Sequence, residues 1–442
     1  MAQPVAFPTM SAYDSAAFVG EVAFPTWAKG VIIRRRMMVG IAERLALDNR
    51  AVKRMQKLRA TYGDGPLLVR NPVRPQVVLL SGDDVRRVLE GAPDPFSPAS
   101  REKRAALSHF EPHVSLITPG PERAERRTFN DKVLDSACPV HRKGAELVAV
   151  VEEEADELMR LAVPSGELGW DLFFESWFRI VRRIVLGSGA RNDHELTDAV
   201  ARLRGRANWA FAVPKNRRLR DAFHHRLQGH LDRAEPGSLA EVVARTPATD
   251  ETHPTHQIAQ WLFAFDPGAM ATFRTLALLV AHPDKLGVAR AEIASTKPRT
   301  ELSYLRAAIV ESLRLYPTTP MVLRETTRET EWADGSLPEG TGILIYTPFF
   351  HRDDERLKNA HRFEPEMWLG KDPGDAIPLI PFSAGPAVCP ARHLVPMIGS
   401  AMLARLLQND REITLRQPDR LDRHQPLPGT LDNYTLQFDL PA

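Results

Sequence analysis

Cysteine is nearly absent from this chain. Among 442 residues only Cys138 and Cys389 occur, which is too few for a disulfide framework and fits a reducing cytosol. Neither lies in a C-x-x-C unit or in a Cys/His cluster with zinc spacing. An isolated cysteine is most often a small buried hydrophobe, and we predict that role for Cys138. Cys389 differs, because it follows a loop rich in proline and glycine.

Long apolar runs and an excess of charge of either sign are also missing. No stretch approaches the roughly 20 apolar residues that span a bilayer, and no signal-peptide pattern opens the chain. The net charge of +2 does not indicate binding to nucleic acid. The basic segment 30–47 is expected to be a solvated face of a packed helix. These absences predict a cytoplasmic protein that binds neither membrane nor nucleic acid.

Repeats, low-complexity tracts and Gly/Ser linkers are absent as well, so we expect a single domain spanning residues 1–442. Apolar residues at three- and four-residue spacing predict a mainly α fold with a smaller β portion. The predicted helices include 255–281, stopped by His282-Pro283, 303–315, stopped by Tyr316-Pro317, and 392–408. The predicted strands include 75–81, 321–327, 328–332 and 340–347, the last two on either side of a turn at Asp334-Gly335.

The loop that ends at Cys389 combines features that suit a buried thiolate. Gly385, four residues before the cysteine, permits a tight turn without a Cβ penalty. Phe382, seven residues before it, can pack beside the sulfur and keep water away. Pro390 suits the first position of a following helix, whose N-terminal dipole would favour thiolate over thiol. A sulfur in this setting is suited to axial ligation of a haem iron.

The stretch around Cys389 resembles the haem-binding loop of the cytochrome P450 family, whose pattern is F-x-x-G-x-[RH]-x-C-x-[GA]. Phe382, Gly385, Cys389 and Ala391 match that pattern. Ala387 departs from it, because the family usually places there an Arg or His that contacts a haem propionate. The resemblance implies a cytochrome P450 fold that binds haem b, iron protoporphyrin IX, through Cys389.

Further segments resemble that family in the same order along the chain. Glu311 and Arg314 form an E-x-x-R pair on a helix, where a three-residue offset puts both side chains on one face. In the family this pair is structural and anchors the core beneath the haem. Arg324 matches a position whose guanidinium reaches a propionate, a carboxylate that arginine can bind in bidentate fashion. The segment 120–129 resembles another propionate-binding helix, which implies the same role for Arg126.

The family's distal helix carries the motif [AG]-G-x-[DE]-T-[TS], which departs here from the usual pattern. Counting back from His282-Pro283, it falls on Phe263-Ala264-Phe265-Asp266-Pro267-Gly268. Asp266 keeps the acid and could deliver protons through water. Pro267 replaces the alcohol, and proline inside a helix costs about 3 kcal/mol and removes an N–H. Together with Gly268 it should kink or open the helix. The resemblance therefore implies that Asp266, Pro267 and Gly268 act in catalysis, but without the proton delivery that is usual in the family.

The family's substrate pocket draws on the distal helix and on the chain that follows the E-x-x-R helix. By that analogy the substrate-binding residues are Phe263, Ala264, Thr318, Thr319, Met321 and Val322. Because these residues are mostly apolar, they indicate a medium-sized, largely apolar organic substrate.

The resemblance implies a monomeric oxidoreductase of the monooxygenase type, active in secondary metabolism. A ferredoxin- or flavodoxin-type partner would supply its electrons, steered by basic groups such as Arg392 and His393. Two alternatives stay open. Because Pro267 replaces the alcohol, the enzyme could perform nitrene-type transfer, oxidative coupling, ring formation or peroxide-driven chemistry. The chain could also be a haem-binding sensor or carrier without turnover.

Overall fold

Helices dominate the fold, as the sequence predicts. The computed structural model describes residues 7–71, 74–408 and 412–440. The α-helices of these described residues are α1 (Ala12–Phe18), α2 (Phe24–Ala28), α3 (Arg36–Arg44), α4 (Leu47–Tyr62), α5 (Gly82–Glu90), α6 (Arg101–Leu107), α7 (Glu122–Val133), α8 (Gly144–Ala162), α9 (Trp170–Leu186), α10 (His194–Ala207), α11 (Arg217–Arg233), α12 (Leu239–Ala244), α13 (Pro254–Ala281), α14 (Pro283–Ser295), α15 (Ser303–Leu315), α16 (Thr347–Arg352) and α17 (Leu394–Leu407).

Helix α13 runs through the larger hydrophobic core. Its first residue is Pro254, since the missing N–H of a proline is not needed there, and it ends before His282-Pro283 as predicted. The helix is apolar on most of its faces and is therefore buried, with α9, α15 and α17 packed against it. The segment Asp250–Ala281 is long and apolar enough to cross a membrane, but 78% of its apolar window is buried inside the fold.

The structure confirms the predicted bounds of one helix and shifts the start of another. Helix α15 begins at Ser303 and ends at Leu315, which confirms the prediction from Tyr316-Pro317. Helix α17 begins at Leu394 and not at residue 392, because Pro390 and the next three residues form a turn.

The β portion is small and lies beside a second hydrophobic core. The strands of the described residues are β1 (Leu67–Val69), β2 (Gln76–Val78), β3 (Phe96–Ser97), β4 (Glu167–Gly169), β5 (Met321–Thr326), β6 (Thr330–Trp332), β7 (Gly335–Leu337), β8 (Gly342–Tyr346), β9 (Thr414–Leu415) and β10 (Gln437–Asp439). The main sheet has the order β1-β2-β8-β5-β3, in which only β2 and β8 are parallel.

The structure corrects two expectations. Strand β6 pairs with the short β7, not with 340–347, because the chain turns back directly after Trp332. The run 340–347 instead forms β8, between β2 and β5 in the main sheet. Cys138 is exposed and not buried, since it lies in the turns that follow α7.

Candidate active site

The loop before Cys389 is held in a tight conformation by backbone contacts. The N–H of Cys389 donates to the carbonyl of Phe382 at 2.9 Å. Gly385 has φ +65°, and a Cβ there would lie 2.3 Å from the carbonyl oxygen of Leu89 in α5. Both the conformation and the close approach require glycine. Phe382 and Cys389 are part-buried side chains that pack against the large core.

The electrostatics of Cys389 differ from the sequence expectation. Burial raises the pKa of its thiol, while the backbone N–H of Ala391 and the charges of Arg127 and Arg392 lower it. The dipole of α17 does not determine the pKa of Cys389, because that helix starts only at Leu394. A buried sulfur with a raised pKa needs a cation to stay a thiolate, and a bound metal ion is one.

Three cations from three separate elements lie together without an anionic partner. Lys103 of α6 donates from Nζ to the carbonyl of Leu323 at 3.0 Å, next to Arg324 of β5. Arg324 and Arg123 of α7 are buried, and the Nε of each has no hydrogen-bond partner. Burial and, to a smaller extent, the neighbouring charge of Arg123 together lower the pKa of Arg324 to about 10.

The same crowding acts on Lys103. Burial, together with the charges of Arg324 and Arg123, lowers its pKa well below the usual value. None of the three cations forms an ion pair with a carboxylate of the described residues. A dianionic ligand would supply the missing charge, and the two propionates of haem b fit that requirement.

Glu311 and Arg314 form a fully buried ion pair beneath this region. The guanidinium donates to Glu311 at 2.6 and 2.7 Å. It also donates to the backbone carbonyls of His351, Ala360 and Arg362 at 2.7 to 3.0 Å. The carboxylate of Glu311 accepts from the indole N–H of Trp368 and the backbone N–H of Glu364, each at 2.9 Å. The pair thus ties α15 to the loop that leads to Cys389.

One face of α13 is partly exposed, and we call it the open face. Gln260, Phe263, Ala264 and Pro267 are part-exposed, whereas most other residues of this stretch are buried. Their spacing puts all four on one side of the helix. Pro267 does not interrupt the assigned helix, which runs unbroken from Pro254 to Ala281. Pro267 therefore lies on this open face without breaking the helix.

Asp266 points to a neighbouring helix and is held there. Its carboxylate accepts from Arg204 of α10 at 2.5 Å, and both side chains are less than a tenth exposed. The Arg204 guanidinium also lies 4.7 Å from the centroid of the Phe263 ring. The acid is therefore positioned through Arg204, next to the open face of α13.

Comparison with known proteins agrees with this geometry. The model of the family "Cytochrome P450" matches residues 250–426, which contain α13, the Glu311–Arg314 pair and the Cys389 loop. A cyanobacterial P450 with bound retinoic acid has a TM-score of 0.68 to this chain at 16% identity. The alignment covers 87% of this chain and 93% of the cyanobacterial protein. A zebra fish P450 with progesterone gives a TM-score of 0.64 at 19% identity, over 83% of this chain and 93% of its own.

The family model thus matches less than half of the chain, and the two solved structures show that it has the cytochrome P450 fold. Curated relatives align over a shorter span. Ferruginol synthase of Salvia pomifera is 33% identical over 37% of this chain and 38% of its own length. Cyclooctat-9-en-7-ol 5-monooxygenase of Streptomyces melanosporofaciens is 34% identical over 40% of this chain and 39% of its own. The chain thus matches well under half of the length of these two P450s.

Within this fold, Arg126 does not join the cluster of Lys103, Arg123 and Arg324. Its Nε donates to the carbonyl of Glu251 at 2.7 Å and its Nη1 to the hydroxyl of Thr118 at 2.7 Å. Arg123 lies three residues earlier on α7 and is the buried arginine near Arg324. Arg127 donates from Nη1 to the carbonyl of Val388 at 2.7 Å, beside the cysteine. The structure therefore places Arg123, and not Arg126, beside Arg324, and a propionate contact of Arg126 stays a prediction.

Gly268 has a packing role that the sequence did not reveal. It is buried, and a Cβ there would lie 2.9 Å from Val395 of α17 and 3.2 Å from Trp177 of α9. Trp177 also donates from its indole N–H to the carbonyl of Phe265 at 2.9 Å. The glycine permits close helix packing and does not loosen α13.

The predicted substrate residues lie in two groups. Phe263 and Ala264 are on the open face of α13, and the Phe263 ring meets that of Phe110 edge to face at 5.8 Å. Thr318 lines a buried cavity. Thr319 is exposed, Met321 is part-buried and Val322 is buried within β5. Thr319 is therefore the member of this set that the structure places at the surface.

Proposed function

We propose that the chain is a haem-thiolate monooxygenase that oxidises a medium-sized, largely apolar organic molecule in secondary metabolism. The observation that carries this proposal is the combination of Cys389 in its tight loop with three unpaired cations, Lys103, Arg123 and Arg324. The monooxygenase name of the Streptomyces relative supports the reaction class.

Each group at the site has a defined task in this proposal. Cys389 would hold the iron of haem b, and Arg324 with Arg123 and Lys103 would hold its propionates. Once bound there, the haem supplies oxygen activation favoured by thiolate donation. Asp266, held by Arg204, is the acid from which water could carry a proton to the space beside Pro267. Phe263 and Ala264 would bind the apolar body of the substrate.

We further propose a monomeric, cytoplasmic protein with a single haem domain, and a ferredoxin- or flavodoxin-type donor that docks near Cys389. The charges proposed to steer this donor are partly neutralised. Arg392 and His393 lie 3.1 and 3.4 Å from the carboxylate of Asp372. Arg127, which donates to Val388, adds a third cation on this side.

The spectrum of the reduced protein with carbon monoxide tests the ligand. We expect the red-shifted Soret band of a thiolate-bound haem in the wild type and in Cys138→Ser, the matched control at the other cysteine. Cys389→Ser should lose that band. An unchanged spectrum in Cys389→Ser, or its loss in Cys138→Ser, would overturn the assignment.

Pro267 favours a second candidate, a P450 chemistry that inserts no oxygen or that uses peroxide. The comparison is between product formed with ferredoxin, reductase and dioxygen and product formed with peroxide alone. Turnover only with the electron donor supports the monooxygenase, and turnover only with peroxide supports the second candidate. Spectral binding of a metabolite panel without any turnover would support the carrier or sensor.

A further inference from the structure

A small buried cavity lies between the N-terminal segment, α13 and the C-terminal tail. Its volume is about 40 Å³, above the roughly 10–15 Å³ that a water molecule needs. Its polar lining consists of the ion pair Lys29–Asp48 and of Arg34, Arg274, Tyr316, Thr318, Thr430 and Asn433. Pro320 also lines it and directly precedes β5, which begins with the proposed substrate residues Met321 and Val322.

Two guanidinium groups face this cavity with neutral partners. Arg34 donates to the carbonyl of Gly30 at 2.6 Å and to that of Thr318 at 2.7 Å. Arg274 of α13 donates to the carbonyl of Leu431 and to the side-chain oxygen of Asn433, both at 3.0 Å. A guanidinium has five N–H donors, so each arginine retains donors beyond these bonds.

Two further polar atoms at the cavity have no partner. The hydroxyl of Tyr316 and the amide nitrogen of Asn433 are buried and have no hydrogen-bond partner in the part of the chain that the structure describes, and both residues are more than nine-tenths buried. A buried donor without an acceptor is costly, and native structures rarely leave one unexplained. Both groups can donate a hydrogen bond, so a ligand in this cavity would have to supply an acceptor.

The carboxylates nearby are already engaged. Asp48 is paired with Lys29 at 2.5 Å, and Asp266 with Arg204 at 2.5 Å. Asp432 accepts from the backbone N–H of Tyr434, and burial raises the pKa of its carboxyl. Neither Arg34 nor Arg274 has a carboxylate within 4.0 Å among residues 7–71, 74–408 and 412–440. Arg274 is buried and Arg34 part-buried, and neither guanidinium has a direct carboxylate partner among these residues.

We propose that this cavity binds the carboxylate of an amphipathic ligand, through the guanidiniums of Arg34 and Arg274, the hydroxyl of Tyr316 and the amide of Asn433. The apolar body of that ligand would extend past Pro320 toward Met321 and Val322. The inference rests on the proposed function, because it makes the ligand the substrate and narrows its class to organic acids with an apolar body.

Binding to the haem-loaded full chain tests the proposal by isothermal titration, without electron donor. The probes are dodecanoic acid, tetradecanoic acid and 4-phenylbutanoic acid, each beside its methyl ester, with sodium acetate as the free anion. We expect at least one acid to bind, on the order of 10- to 100-fold more tightly than its ester, as for a charge-assisted hydrogen bond. Arg34→Gln and Arg274→Gln should abolish this preference, and exposed Arg86→Gln should retain it.

Tyr316→Phe provides a second test of the proposal if an arginine variant fails to fold. It removes a hydroxyl that has no partner, so the fold should persist while the acid binds more weakly. The proposal falls if no acid binds, if ester and acid bind alike, or if the preference survives in Tyr316→Phe and both Gln variants. Acetate that binds as tightly as the amphipathic acids would make this a free-anion site and overturn the substrate assignment. The carbon monoxide spectrum of the same samples reports separately on the proposed function.

Discussion

Arg204 and Asp266 form a buried ion pair at 2.5 Å that joins α10 to the centre of α13. Arg204 also lies over the ring of Phe263, so the acid and the wall of the proposed substrate space share one partner. Movement of α10 would therefore shift both the acid and the aromatic ring.

Asp266→Ala should strongly destabilise the fold because it leaves Arg204 buried and unpaired. We expect a loss of about 3–5 kcal/mol in the free energy of unfolding. The double variant Asp266→Ala/Arg204→Met should recover part of that loss, since it removes the uncompensated charge. Urea titrations of the four proteins in this cycle measure the coupling, and a double variant less stable than Asp266→Ala would contradict the explanation.

Pro267→Thr should restore both a backbone N–H and an alcohol to α13. The new N–H can donate to the carbonyl of Phe263, so stability should rise by up to about 3 kcal/mol. The hydroxyl should raise the share of reducing equivalents that appears in product and not in hydrogen peroxide. Gly268→Ala is the control, since its Cβ would lie 2.9 Å from Val395 and should destabilise. Equal coupling in the wild type and Pro267→Thr would show that the alcohol is not needed.

Lys103→Gln should weaken retention of haem. If its ammonium binds a propionate, removing that charge costs about 1.5–3 kcal/mol, or on the order of a 10- to 100-fold faster release. The rate of haem transfer to apomyoglobin measures this without turnover. Lys57→Gln, at an exposed position of α4, is the matched control. Unchanged release from Lys103→Gln would remove Lys103 from the propionate site.

Four histidines beside a second cavity, of about 350 Å³, should make the fold sensitive to acid. The rings of His224 and His256 stack at 3.9 Å, and those of His113 and His253 at 4.2 Å. Burial lowers the pKa of His256 to about 2 and that of His224 to about 4. The unfolded chain therefore binds more protons, and the stability present above pH 6.5 is lost as the pH falls toward 4.

His224→Phe and His256→Phe test this pH dependence. Each should flatten the decline in the free energy of unfolding by up to about 1.4 kcal/mol per pH unit between pH 6.5 and 4. The exposed His424→Phe serves as the control. The explanation fails if the double variant His224→Phe/His256→Phe keeps the wild-type slope.

The parts of the site that local sequence determines were predictable. Gly385 and Cys389 lie in one loop, and Glu311 and Arg314 on one turn of helix, so their geometry depends on residues close in sequence. The ends of α15 also follow from a local signal, Tyr316-Pro317.

Contacts between distant elements were not predictable in the same way. Lys103 meets Arg324 although more than two hundred residues separate them, and no local pattern marks that meeting. Arg123 and Arg126 lie three residues apart on α7, and no local signal shows which of them faces Arg324. The partners of Arg34 and Arg274 likewise come from the C-terminal tail and from the chain after α15.

The close approach of Gly385 to Leu89 links the ligand loop to the β-rich part of the molecule. Helix α5 cannot be displaced toward the loop without pushing on the turn that carries the sulfur. Residues on the face of α5 that points away from the Cys389 loop are therefore candidate positions for second-site suppressors of mutations in that loop. Engineering that replaces the sheet of this protein should keep α5 and the Cys389 loop as one exchangeable unit.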